Sequence, residues 1–151
     1  MNGIEENIAY AVHLRAEHRR VNEIVRQIER DWLMPGEQSL SDNAASQLTQ
    51  TLVQLRRELG GHFREEEEGG FLDEAVSRCP NLGHEADQIE QEHAPLLAEL
   101  DALISSLKSE HPRRRSSAEL HRRLEGFSQN LRAHEEAENR VLETAFGTEL
   151  E

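Results

Sequence analysis

A chain of 151 residues has room for one domain with a sizeable core, so a single domain over 1–151 is expected. Its formal net charge of −13 repels phosphate, which excludes a nucleic-acid partner from the expectations. No apolar run approaches the roughly 20 residues that cross a bilayer, nothing resembles a signal peptide, and the single Cys79 fits a reducing compartment, so no membrane and a cytoplasmic location are expected.

The first apolar stripe runs Ile4, Ile8, Ala11, Leu14, His18, Val21, Val25, Ile28, Trp32. Its gaps of three and four predict a helix over about 4–33 with one face turned to a bundle. His18 occupies a stripe position. Met34-Pro35-Gly36 should end this helix. A polar loop over 35–43 follows, with Ser41, Asp42 or Asn43 available as a cap. The second helix is predicted over 44–68, on the stripe Leu48, Leu52, Leu55, Leu59. The next two stripe positions hold His62 and Glu66, and Gly69-Gly70 stops the helix.

A short amphipathic helix over 71–78 leads to the turn Cys79-Pro80-Asn81. The third long helix is expected to start near Leu82, capped by Asn81, and to end near Ser109, before Pro112. His93 lies inside its stripe, and Pro95 should kink it or cost one backbone hydrogen bond. The run Arg113-Arg114-Arg115 reads as a loop or helix start. The fourth long helix begins around Ser116, which has the spacing of a capping box with Glu119. Its stripe runs Leu120, Leu124, Phe127, Leu131 and then His134 and Glu138. The second and fourth long helices therefore both carry His-x-x-x-Glu.

Four long helices with modest connections predict an all-α, up-down-up-down four-helix bundle. Counted from the connections at about 1.5 Å per residue, the stripe histidines of all four helices fall at one level. Core positions rarely hold ionisable groups unless these are paired or bind a metal. One histidine on an apolar face is best read as a hydrogen-bonded core residue. Four of them at one level, two with a glutamate one turn on, point instead to a metal site formed by His18, His62, Glu66, His93, His134 and Glu138. Two carboxylates between two cations bridge them and offset their repulsion. Nitrogen and oxygen donors without thiolate suit iron or manganese, with zinc as a further option.

The remaining histidines, His13, His84, His111 and His121, fall off the stripes and read as solvated, as does the helix-end run Glu65, Glu67 and Glu68. Glu65 stands three residues after His62 and can lean towards the site, and Tyr10 can reach its outer edge. Glu90 and His93 form the one Glu-x-x-His pair on a bundle stripe, which argues against a ferritin-like dinuclear site.

Taken together, Glu17-His18-Arg19, His62-x-x-x-Glu66 with the glutamates around it, Glu92-His93 and His134-x-x-x-Glu138 resemble the hemerythrin-like (HHE) domain family over nearly the whole chain. The resemblance implies a non-haem di-iron centre of two iron ions joined by an oxo or hydroxo bridge, with a position open to a small diatomic or peroxide ligand. Manganese and zinc are less favoured by it. Oxygen-carrying members have a second histidine one turn before the ligand of the third helix, where this chain has Ile89. They also place an aspartate five residues after the last histidine, where this chain has Glu138 four residues on. A site with one imidazole fewer is more open. The expected function is therefore binding of, or reaction with, O2, peroxide or nitric oxide in sensing or oxidative-stress response, rather than oxygen carriage. A partner protein can read the bundle surface or the short 71–78 helix. The competing expectations are a di-iron enzyme with peroxidase- or catalase-like activity, and a structural or metal-handling bundle.

Overall fold

The computed structural model describes residues 2–33, 41–108 and 117–147. Among them there are helices and turns and no strand. The five α-helices are α1 (Asn2–Ile28), α2 (Asp42–Glu68), α3 (Phe71–Arg78), α4 (Gly83–Lys108) and α5 (Ser117–Phe146). The Met34-Pro35-Gly36 break and its loop, His111, Pro112, the Arg113–Arg115 run and the Ser116 cap lie outside the described residues, as does the side chain of Tyr10.

Sequence and local structure agree closely at α2. Ser41 is the cap, its hydroxyl accepting from the Ala44 N–H at 3.1 Å. The stripe Leu48, Leu52, Leu55, Leu59 is fully buried. Gly70 takes φ 68°, a left-handed conformation that a side chain disfavours, and turns the chain directly into α3.

Two boundaries differ from expectation. The first helix is α-helical only to Ile28, and Glu29–Leu33 form a wider π-helical turn. Glu29, the first residue of that turn, accepts from Ser128 Oγ at 2.9 Å and pairs with Arg132 at 2.6 Å, both on α5. A spacing of three and four reports which face is apolar, not how tightly the last turn is wound. The third long helix begins at Gly83, next to the expected Leu82, but Pro80–Leu82 form a 3₁₀ turn, so Asn81 lies within that turn and does not cap the helix. Proline at the first position has no N–H to leave unpaired. Pro95 removes one backbone bond from α4, yet the helix runs through it.

The long helices close around a shared interior, with α1 against α2 and α5, and α4 against α2 and α5. The interior is apolar in two separate parts. The larger includes Val25, Leu52, Leu55, Leu100, Leu124 and Phe127. The smaller includes Leu14, Phe71, Leu82, Ile89, Val141 and Phe146. Helix α3 covers the smaller part: Phe71 stacks on Phe146 at 5.2 Å, and the Arg78 guanidinium lies 4.3 Å above the Phe146 ring. Among the described residues no helix is long and apolar enough to cross a membrane.

Candidate metal centre

Between the two apolar parts lies a buried polar layer. All six residues predicted for the site are in it: His18 from α1, His62 and Glu66 from α2, His93 from α4, and His134 and Glu138 from α5. Helical spacing explains the pairs. Residues four apart stand one turn apart on one face, so each glutamate lies directly below its histidine.

The six form two overlapping clusters. His18, His62, Glu66 and Glu138 offer ligand atoms within 4.8 Å of one another, and so do Glu66, His93, His134 and Glu138. Both carboxylates belong to both clusters. Glu138 Oε2 lies 2.6 Å from His18 Nε2 and 3.7 Å from His62 Nε2. Its Oε1 lies 2.6 Å from His134 Nε2 and 3.7 Å from His93 Nε2. Glu66 Oε1 contacts His62 Nε2, and its Oε2 lies 3.4 Å from His93 Nε2. Glu138 thus divides its two oxygens between two pairs of imidazoles, and Glu66 divides its own between His62 and His93.

These contacts lack hydrogen-bond alignment. All four Nε2 atoms, Glu66 Oε1 and Glu138 Oε1 are buried without a hydrogen-bond partner. So many orphaned donors and acceptors in one layer would cost several kcal/mol in an ordinary core, at roughly 1–3 kcal/mol each. Lone pairs that converge instead of pairing fit cations between them. Imidazole and carboxylate donors without thiolate suit a first-row metal ion.

Outer carboxylates orient three of the rings. Glu17 Oε1 lies 3.5 Å from His62 Nδ1, Glu67 Oε1 3.1 Å from His93 Nδ1, and Glu92 Oε1 2.9 Å from His134 Nδ1. Each can accept the Nδ1 hydrogen, which leaves the Nε2 lone pair free to face inward. Glu17 and Glu92 stand beside His18 and His93 in sequence but serve histidines on other helices. Glu67, expected to be solvated, serves His93 across to α4. The signal available in the sequence was the glutamate just before His18 and just before His93, since adjacent helical positions point to different neighbours.

Two further residues shape the layer. Phe63 stacks on His93 with ring centres 4.0 Å apart and meets His134 edge-on at 5.2 Å. Ile89 is 1% exposed and belongs to the smaller apolar part, so the turn before His93 presents hydrocarbon to the layer.

Glu65 stays outside the layer, at the solvated end of α2, as expected for the glutamate run. Its carboxylate lies 3.0 Å from His13 Nε2, and its side chain is 44% exposed. His13 is exposed as expected but is held between Glu65 and Glu17 rather than simply solvated. His84 is exposed and His121 half-buried, and neither joins a metal-competent cluster among the described residues. Glu135 is buried beside the layer, and its Oε1 has no hydrogen-bond partner. Burial raises its carboxyl pKa.

Burial by itself pushes the buried imidazoles towards neutrality, but the carboxylates outweigh it. Against burial, Glu138 and Glu66 raise His62 to about 11 and His93 to about 10. Against burial too, Glu138 raises His134. Burial disfavours the Glu138 carboxylate, yet His134, His18, His62 and His93 hold it well below the usual range. In the metal-free protein, then, protons sit where cations fit. A histidine pKa raised on folding stabilises the fold below about 6.5, the unfolded value, and that contribution is lost as pH rises through the folded value. Metal-free protein is therefore expected to lose stability between about pH 6.5 and the range of 10 to 11. Metal binding near neutrality is expected to release protons and to tighten as pH rises. Calorimetric titration in two buffers of different ionisation heat checks this; a binding heat that ignores the buffer would refute it.

A family model described as the hemerythrin HHE cation-binding domain matches residues 11–146. The chain belongs to the hemerythrin HHE cation-binding family. The match contains all six residues of the buried layer. A hemerythrin HHE domain binds cations, in keeping with the two His/Glu clusters. No match was found among the curated proteins, and none among the solved structures.

Proposed function

We propose that this chain is a non-haem di-iron protein on an up-down-up-down four-helix bundle, which binds or reacts with O2, peroxide or nitric oxide in sensing or oxidative-stress response. One observation carries the reading: Glu66 and Glu138 each belong to both clusters. A carboxylate shared in this way suits two cations held side by side. On this reading His18 and His62 would hold one ion and His93 and His134 the other, with Glu66 and Glu138 shared between them. Iron, when bound, supplies the redox chemistry towards such small ligands. The chain's own residues fix its setting. Glu17, Glu67 and Glu92 hold three imidazoles in register, while Phe63 and Ile89 keep the wall beside His93 dry.

Ile89 favours a second reading within the same chemistry. Each cluster offers two imidazoles and two shared carboxylates, and the turn before His93 adds hydrocarbon in place of a further donor, so a bound ion would keep positions for small ligands. Such a centre suits turnover with peroxide as well as binding, and peroxidase- or catalase-like activity is the alternative.

The test is metal analysis with an optical spectrum, on protein purified in air from iron-supplemented cells. About two irons per chain with near-ultraviolet charge-transfer absorption is the expected result. Protein that stays colourless after anaerobic iron loading would overturn it. Steady-state peroxide consumption by the loaded sample then separates enzyme from sensor.

A further inference from the structure

Outside the buried layer, one more group of side chains converges. We propose that His13, Glu17 and Glu65 form a third metal site, for a first-row divalent cation, at the outer edge of the bundle. Their ligand atoms lie within 4.8 Å of one another. His13 Nε2 is 3.3 Å from Glu17 Oε1 and 3.0 Å from Glu65 Oε2. His13 and Glu17 are four apart on α1, so they repeat the His-x-x-x-Glu chelate of His62 with Glu66 and His134 with Glu138. Glu65 closes the group from α2.

The crowding argues for a cation. One imidazole nitrogen offers a single hydrogen or a single lone pair, yet two carboxylates from different helices press against it. Glu17 and Glu65 also share a hydrogen bond, so a proton stands between the two carboxyls where a cation fits. A divalent ion between the three turns each contact into an attraction. The donor set of one imidazole and two carboxylates suits Fe2+, Mn2+ or Zn2+. His13 and Glu65 are 51% and 44% exposed, so water can complete the coordination. Glu17 is only 12% exposed and also lies 3.5 Å from His62 Nδ1. The third site therefore stands next to the buried layer but draws its other two ligands from the surface. It goes beyond the assignment of the buried centre and does not depend on it.

Zinc is the probe. The full chain and the variants His13→Ala and Glu65→Gln are dialysed against a fixed free zinc concentration and their bound zinc is measured. Each variant is expected to hold one zinc fewer per chain than the parent, with the same helical circular dichroism. Equal zinc in the parent and His13→Ala would overturn the proposal. Should the buried residues take up no metal at all, the difference of one zinc between parent and variant still decides this site separately.

Discussion

Stripping the metal from loaded protein is expected to lower its melting temperature by at least roughly 10 °C. The estimate follows from linkage. An ion bound with a concentration about a thousandfold above its dissociation constant stabilises the fold by about 4 kcal/mol, and a chain of this size gains a few degrees per kcal/mol. The structure explains why the loss should be large but not total. Without metal the layer is left with imidazoles and carboxylates buried out of hydrogen-bond alignment. Against burial, the carboxylates of Glu138 and Glu66 keep protons on His62 and His93 and so partly replace the cations. Scanning calorimetry of loaded and chelator-treated protein is the measurement. Coincident melting curves would mean that no ion ties the helices together.

Glu138→Ala is expected to cost both metal ions together, with affinity falling more than about 100-fold. The two oxygens of Glu138 face all four imidazoles, so no cluster survives its removal intact. Glu66→Ala should act in the same direction, since Glu66 also belongs to both clusters. His134→Ala removes one ligand from a single cluster and should abolish paired loading while leaving the cluster of His18 and His62 complete. His121→Ala should change nothing. Metal content of the four variants orders them. If Glu138→Ala kept one ion per chain at parental affinity, the shared carboxylate would not be a bridge. The same variant should flatten the alkaline loss of stability in the metal-free protein, because Glu138 is a main source of the raised histidine pKa values.

The buried layer was legible because polar residues interrupted apolar stripes at matching depths. His18, His62, His93 and His134 each stand where a leucine belongs, and distance from the connections placed them level. Periodicity says which face of a helix looks inward. It does not say which neighbour a given side chain meets. The outer carboxylates show that limit: Glu17 precedes His18 in sequence and reaches His62, and Glu92 precedes His93 and reaches His134. Glu65 and His13 show it again. Each was read against its own helix, whereas their contact joins α1 to α2. The π-helical turn at Glu29–Leu33 and the 3₁₀ turn at Pro80–Leu82 were hidden for a different reason. One or two backbone bonds set them, and a stripe with gaps of three and four accommodates either geometry.

The division of the interior into two apolar parts has a consequence for cooperativity. The smaller part joins α3, Leu14 of α1 and the last turns of α5, and only the polar layer separates it from the larger. In hydrogen exchange on metal-free protein, the amides of this end should open as one unit, faster than those around Leu55 and Leu100. Binding of metal across the layer should merge the two exchange rates. The ions would then fix how much of the chain unfolds in a single step, and their loss would leave a bundle with one firm half and one that breathes.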